Sequence, residues 1–170
     1  MYEKIRKTRS GRLMLSAMVA ALYAAVTLLL QPISFGPFQF RAAEALTMLP
    51  VIMPESIIGL TLGCAISNAI GVVSGANICG VLDIAVGTAA TLLAAFASRW
   101  LRSVKWFGMP VLSALMPVVF NAVFVGGELA AVLGLPFWIC ALEVAGGEAL
   151  VVLALGIPLV KILGKRMGMQ

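Results

Sequence analysis

The side chains able to do chemistry in this chain are acids and amides, and most of them sit in apolar surroundings. Glu44, Asp83, Glu143 and Glu148 interrupt long hydrophobic stretches, and Gln39, Asn68 and Asn121 do the same with amides. A carboxylate turned toward hydrocarbon costs several kcal/mol, so such groups are expected to face a bundle interior, a watery cavity or one another. Arg41 is the one basic residue close to them; the other Lys and Arg residues form three separate clusters. More acid than base in one place favours a ligand that is cationic or rich in N–H donors.

Catalytic chemistry has little to work with. The chain contains 0 histidines, so neither a nucleophilic triad nor an HExxH zinc motif is available, and no GxxxxGK[ST] loop is present to bind a nucleotide. Cys64, Cys79 and Cys140 form no CxxC pair and sit in or beside apolar stretches, as space-filling thiols do. No catalytic residue, metal site or cofactor is expected, and any ATP-driven step requires another subunit.

Position refines the candidates. Glu143 and Glu148 lie five residues apart in ALEVAGGEALVV, about 140° around a regular helix. They can share a narrow pocket only if the helix is distorted at Gly146-Gly147. Glu148 is the deeper of the two. Asp83 precedes an apolar run and is equally readable as a helix cap. Arg41 is expected to pair with Glu44, Asn68 and Asn121 to tie helices or read a ligand, and Glu128 to be solvated on an outer loop. Trp138 reads as an interfacial anchor or as a ring to stack on a flat ligand.

The elements that must hold these groups are membrane helices. The chain is 62% hydrophobic and 11% charged, with a mean hydropathy of +1.08; a water-soluble domain carries roughly 25% charged residues. Apolar segments run over residues 13–31, 81–100, 108–125 and 137–162, the last with a bend expected at Pro158. Residues 43–73, broken by Pro50 and Pro54, supply two short crossings of about 15 residues each, where about 20 are needed. Such crossings either do not fully span, or have irregular backbone buried against protein.

Charge decides between two short crossings and one long helix. The basic clusters are Lys4 to Arg12, Arg99 to Lys105, and Lys161 to Arg166. The positive-inside rule puts all three in the cytoplasm, which requires an even number of crossings between successive clusters. The expected architecture is therefore an all-α bundle of six transmembrane helices with both termini cytoplasmic. It comprises a basic N-terminus at 1–12, a membrane domain at 13–162 and a tail at 163–170. The first segment, at residues 13–30, is long enough to be a retained span rather than a signal peptide. Ala17, Ala21 and Ala25 repeat every fourth residue along it, with Ala20 and Ala24 on an adjacent stripe, a spacing that lets another helix approach closely.

LYAAVTLLLQPISFGPFQFRAAEALTMLP, GLTLGCAISNAIG and LDIAVGTAATLLAA, and above all the FGPxQFRxxEAL pattern at residues 35–46, resemble the queuosine-precursor family of substrate-binding subunits of energy-coupling factor (ECF) transporters. The resemblance implies a six-helix capture subunit of a prokaryotic plasma membrane. Its partners would be a transmembrane coupling subunit and two cytoplasmic ATPases, with no nucleic acid involved. The implied substrate is 7-aminomethyl-7-deazaguanine or a close relative; another vitamin, or a stand-alone secondary transporter, is the alternative. The implied ligand groups are Glu44 and Glu148 first, then Glu143 and Asp83, with Asn68, Asn121, Gln39 and Trp138 completing the site and Arg41 orienting Glu44. Ala17, Ala21 and Ala25 become the coupling face, and residues 35–41, with Phe35, Phe38 and Phe40, a lid.

Overall fold

The computed structural model describes residues 2–36, 39–106 and 108–168, and the elements found there are helices and turns. Five helical stretches are long and apolar enough to cross a membrane: Arg9–Leu29, Ser56–Val73, Leu82–Ser103, Val111–Leu133 and Phe137–Arg166. We label the α-helices α1 (Tyr2–Arg6), α2 (Arg9–Leu29), α3 (Gln31–Ser34), α4 (Ser56–Val73), α5 (Leu82–Trp100), α6 (Val111–Leu133), α7 (Phe137–Val151) and α8 (Ile157–Arg166). Exposure is inverted relative to a protein dissolved in water. Leu13, Met18, Leu22, Ile58, Leu62, Phe96, Leu142 and Leu150 face outward, whereas Arg41, Glu44, Asp83, Asn68 and Glu148 are buried. Apolar outer faces around a polar interior suit a hydrocarbon solvent.

The short crossings are unequal. α2 and α4 run parallel: Gly59 packs on Ser16 and Val19, Gly63 on Ala20 and Tyr23, and farther along Gln31 Nε2 donates to Ser74 Oγ at 3.2 Å. A Cβ on Gly63 would stand 2.8 Å from the Tyr23 Cβ, so this GxxxG pair sets how closely the helices approach. Between two parallel helices the chain must return to its starting end. It does so through the 3-10 helix Ala42–Val51, buried from Ala43 to Pro50. At about 2.0 Å rise per residue its ten residues cover about 20 Å, against about 15 Å for an α-helix. The irregular backbone is tolerated because protein surrounds it on every side.

One expectation needs correction, and one condition is not met. α6 continues through Gly126-Gly127 to Leu133 and stops at Gly134, in left-handed geometry at φ 67°, so residues 126–133 are helix rather than outer loop. In the last stretch the Gly146-Gly147 pair is regular helix within α7, and the irregularity is a π-turn at Val152–Gly156. Pro158 follows directly, and the wider turn accommodates a residue that lacks an N–H and crowds the carbonyl four positions earlier.

The basic clusters gather at one end. Arg6, Arg99, Arg102 and Lys105 border a single hollow, and Tyr2 and Glu3 border another with Leu163, Arg166 and Met167. The N-terminal segment is not a free tail. α1 docks on Glu55, which accepts from Arg6 Nε at 2.8 Å and Tyr2 OH at 3.1 Å. Burial and the Glu55 carboxylate push the Tyr2 phenol up to about 12, so it stays protonated as a donor.

Candidate functional site

The polar groups meet near the opposite end, in two linked sets. The first is a framework around Asp83, in the first turn of α5. Arg41 Nη2 donates to Asp83 Oδ2 at 2.6 Å, Asn77 Nδ2 to the same oxygen at 2.7 Å, and Asn68 Nδ2 to the Asp83 carbonyl at 2.7 Å. Arg41 Nη2 also donates to Gln39 Oε1 at 2.7 Å and the guanidinium lies 5.6 Å from the Phe35 ring centroid. Gln39 takes a left-handed backbone at φ 44°, a conformation that a non-glycine residue adopts at some cost and that here turns its side chain inward. Asp83 is thus bound to Arg41 rather than acting as a helix cap. Arg41, expected beside Glu44, forms its ion pair with Asp83 instead.

The second set is acidic. Glu44 sits in the first turn of the 3-10 helix, where Tyr23 OH donates to its Oε1. Asn121 of α6 neighbours both Glu44 and Glu148 of α7. Glu44 Oε2 and Glu148 Oε1 are buried without a hydrogen-bond partner. Gln39, Arg41, Glu44, Asn121, Val125, Val144 and Glu148 line a half-open hollow of about 10 Å³, the size of one water. Any larger guest requires the walls to part. With Asp83 and Glu128 the buried region holds four carboxyl groups against the single guanidinium of Arg41, the acid excess expected from the sequence.

The candidates divide accordingly. Gln39, Arg41, Glu44, Asn121 and Glu148 line one space; Asp83 and Asn68 support it from behind. Glu143 and Trp138 stand apart. Glu143 is exposed on the other side of α7, as its angular separation from Glu148 requires once the helix is regular. Trp138 is 74% exposed and makes an edge contact with Phe137 at 5.0 Å between centroids, the setting of an interfacial anchor. Ala17, Ala21 and Ala25 are exposed along α2, whereas Ala20 and Ala24 are buried, so the two stripes have separate duties. Of the expected lid, Phe35 is buried against Gly71, Phe40 is half-buried, and Phe38 lies outside the described residues.

Tyr23 and Asn77 are not legible in the sequence as contributors, and Glu128 reads there as a solvated surface acid. Tyr23 is buried within an apolar run, yet a phenol at such depth needs an acceptor, and that need is the signal that points to Glu44. Asn77 lies in the turn before α5. Glu128, expected to be solvated, is only 6% exposed; once α6 is known to be continuous, its spacing of seven from Asn121 puts both on one face. Cys79, beside Gln39 at 3.4 Å, is no nucleophile, since burial and the nearby Glu128 carboxylate push its thiol up to about 12. Among the described residues no group of His, Cys, Asp and Glu is placed to hold a metal ion.

Comparison with known proteins gives a family and a curated relative. Residues 13–165 match the family described as "QueT transporter". Over 66 residues the chain is 39% identical to the "Queuosine precursor transporter QueT" of Lactococcus lactis subsp. cremoris (strain MG1363). That alignment covers 38% of this chain and 39% of the relative, so the chain matches about two fifths of the relative's length. No solved structure matches.

Proposed function

The chain belongs to the QueT transporter family, and from that premise we propose that it is the substrate-capture subunit of an ATP-driven ECF importer for 7-aminomethyl-7-deazaguanine or a close relative. Membership of a transporter family makes it a transport protein rather than an enzyme. The observation that carries the substrate reading is the buried pair Glu44 and Glu148, which neighbour each other and share Asn121 as a neighbour. A 7-deazaguanine presents an amidine-like edge of N–H donors, and two carboxylates with free oxygens accept from such an edge as charge-assisted bonds. The Asn121 and Gln39 amides are suited to the ring carbonyl and remaining nitrogens. Arg41 pairs with Asp83 at 2.6 Å and serves as one wall of the site, with Asp83 behind it.

The topology we propose has six crossings, counting the 3-10 helix Ala42–Val51 between the parallel helices α2 and α4 as the second. The clustering of Arg6, Arg99, Arg102 and Lys105 at one end supports a cytoplasmic placement of both termini in a prokaryotic plasma membrane. The membrane domain is assigned to residues 13–162, flanked by basic segments at 1–12 and 163–170. Substrate enters from the end that holds Arg41 and Asp83. The exposed Ala17, Ala21 and Ala25 stripe of α2 is the docking face for the transmembrane coupling subunit, which brings two ATPases.

The test is to extract the protein from membranes in mild detergent and identify the small molecule that copurifies by mass spectrometry. A deazapurine is the expected result. A chemically unrelated vitamin would overturn the substrate while keeping the architecture.

A further inference from the structure

Among the described residues, Glu128 is the carboxylate with both oxygens fully buried and without a hydrogen-bond partner; Glu44, Asp83 and Glu148 each have one such oxygen. Its side chain sits on the face of α6 that also carries Asn121 and Val125, both lining the small hollow. Seven residues separate Glu128 from Asn121, a rise of about 10 Å along the helix. The titratable groups that act on it are Asp83 and Arg41, with the Cys79 thiol also close by. Arg41 is already committed to Asp83 at 2.6 Å and supplies no hydrogen bond to Glu128. A buried carboxylate left in this condition carries a desolvation cost that a cation would offset.

We propose that Glu128 is the ammonium receptor of the substrate site, holding the charged arm of the ligand while Glu44, Asn121 and Glu148 read its flat edge. This deepens the deazaguanine reading above and rests on it. Two carboxylates beside a shared amide suit a planar row of donors. A single carboxylate with both oxygens free suits a compact point charge with three N–H bonds. The separation along α6 places the two functions at opposite ends of a bicyclic base bearing a one-carbon amine arm. Glu128 therefore sets selectivity for a cationic arm over a neutral one of the same size, and the ring-recognising groups set selectivity for the base.

The experiment titrates purified full-length protein with two ligands, 7-aminomethyl-7-deazaguanine and 7-ethyl-7-deazaguanine, in which a methyl group replaces the amine. The wild-type protein is expected to prefer the amine about 10- to 100-fold, the range of one charge-assisted hydrogen-bonded contact. Glu128→Gln should lose that preference by weakening the amine ligand alone, with the ethyl ligand unchanged within about twofold; its retained binding is also the control for folding. Glu128→Asp, which keeps the charge, should retain the preference. Equal affinity of the wild-type protein for both ligands overturns the ammonium site without recourse to any variant. So does an equal change for both ligands in Glu128→Gln. Failure of the wild-type protein to bind either ligand overturns the deazaguanine reading itself, and the ammonium site with it.

Discussion

Glu44 takes a hydrogen bond from Tyr23 on one oxygen and keeps the other free beside Asn121 and Glu148. The free oxygen is what a ligand donor would meet, and the phenol is what aims it. Tyr23→Phe removes the donor and leaves a buried acceptor unsatisfied, a cost of about 1–3 kcal/mol; it is expected to lower both the melting temperature and ligand affinity, read by thermal denaturation and titration of the purified protein. The Arg41–Asp83 pair predicts a different pattern. Arg41→Met strands the Asp83 carboxylate and is expected to cost about 3–5 kcal/mol, whereas adding Asp83→Leu should recover much of that loss; thermal denaturation of the single and double variants checks it. The acids and amides were legible in the sequence because ionisable groups are expensive in apolar segments. Their partners were not. Arg41 lies three residues from Glu44 and 42 from Asp83, and only the fold brings the more distant acid within reach.

At the scale of elements, the contact between α2 and α4 governs how Tyr23 reaches Glu44. Gly63 packs directly on Ala20 and Tyr23, so Gly63→Leu must push the helices apart. Overpacking of this kind costs about 1–3 kcal/mol and is expected to weaken ligand binding by displacing the phenol. The opposite face of α2 predicts the opposite behaviour. Ala21→Trp with Ala25→Trp enlarges an exposed stripe; uptake in cells should fall while binding by the isolated protein is preserved. Long helices were legible from hydropathy, and a return between the parallel α2 and α4 is what the parity of the basic clusters called for. The form of that return was not legible, because a 3-10 helix carries no period distinct enough to read over ten residues. The full length of α6 is not legible at Gly126-Gly127 for a related reason: glycine weakens a helix in water, but packing against neighbouring helices carries the element through. A helix ending there would put Glu128 on the surface; the continuous helix buries it.

The whole molecule is a bundle with an apolar exterior, basic residues collected at one end and uncompensated acid toward the other. Its orientation has a direct check. Cys64, Cys79 and Cys140 are buried, so single cysteines at the exposed positions Leu135 and Lys105 report above a low background. An impermeant maleimide added to intact cells should label Leu135→Cys and spare Lys105→Cys until the membrane is opened; the reverse pattern would invert the topology. The capture mechanism itself is tested most directly by calorimetric titration of 7-aminomethyl-7-deazaguanine into the wild-type protein and into Glu148→Gln. Saturable binding by the wild type, weakened at least about tenfold in a Glu148→Gln variant that melts at or above the wild-type temperature, is the expected result. Undiminished affinity in that variant would contradict a site built on the buried carboxylates of α7 and the 3-10 helix.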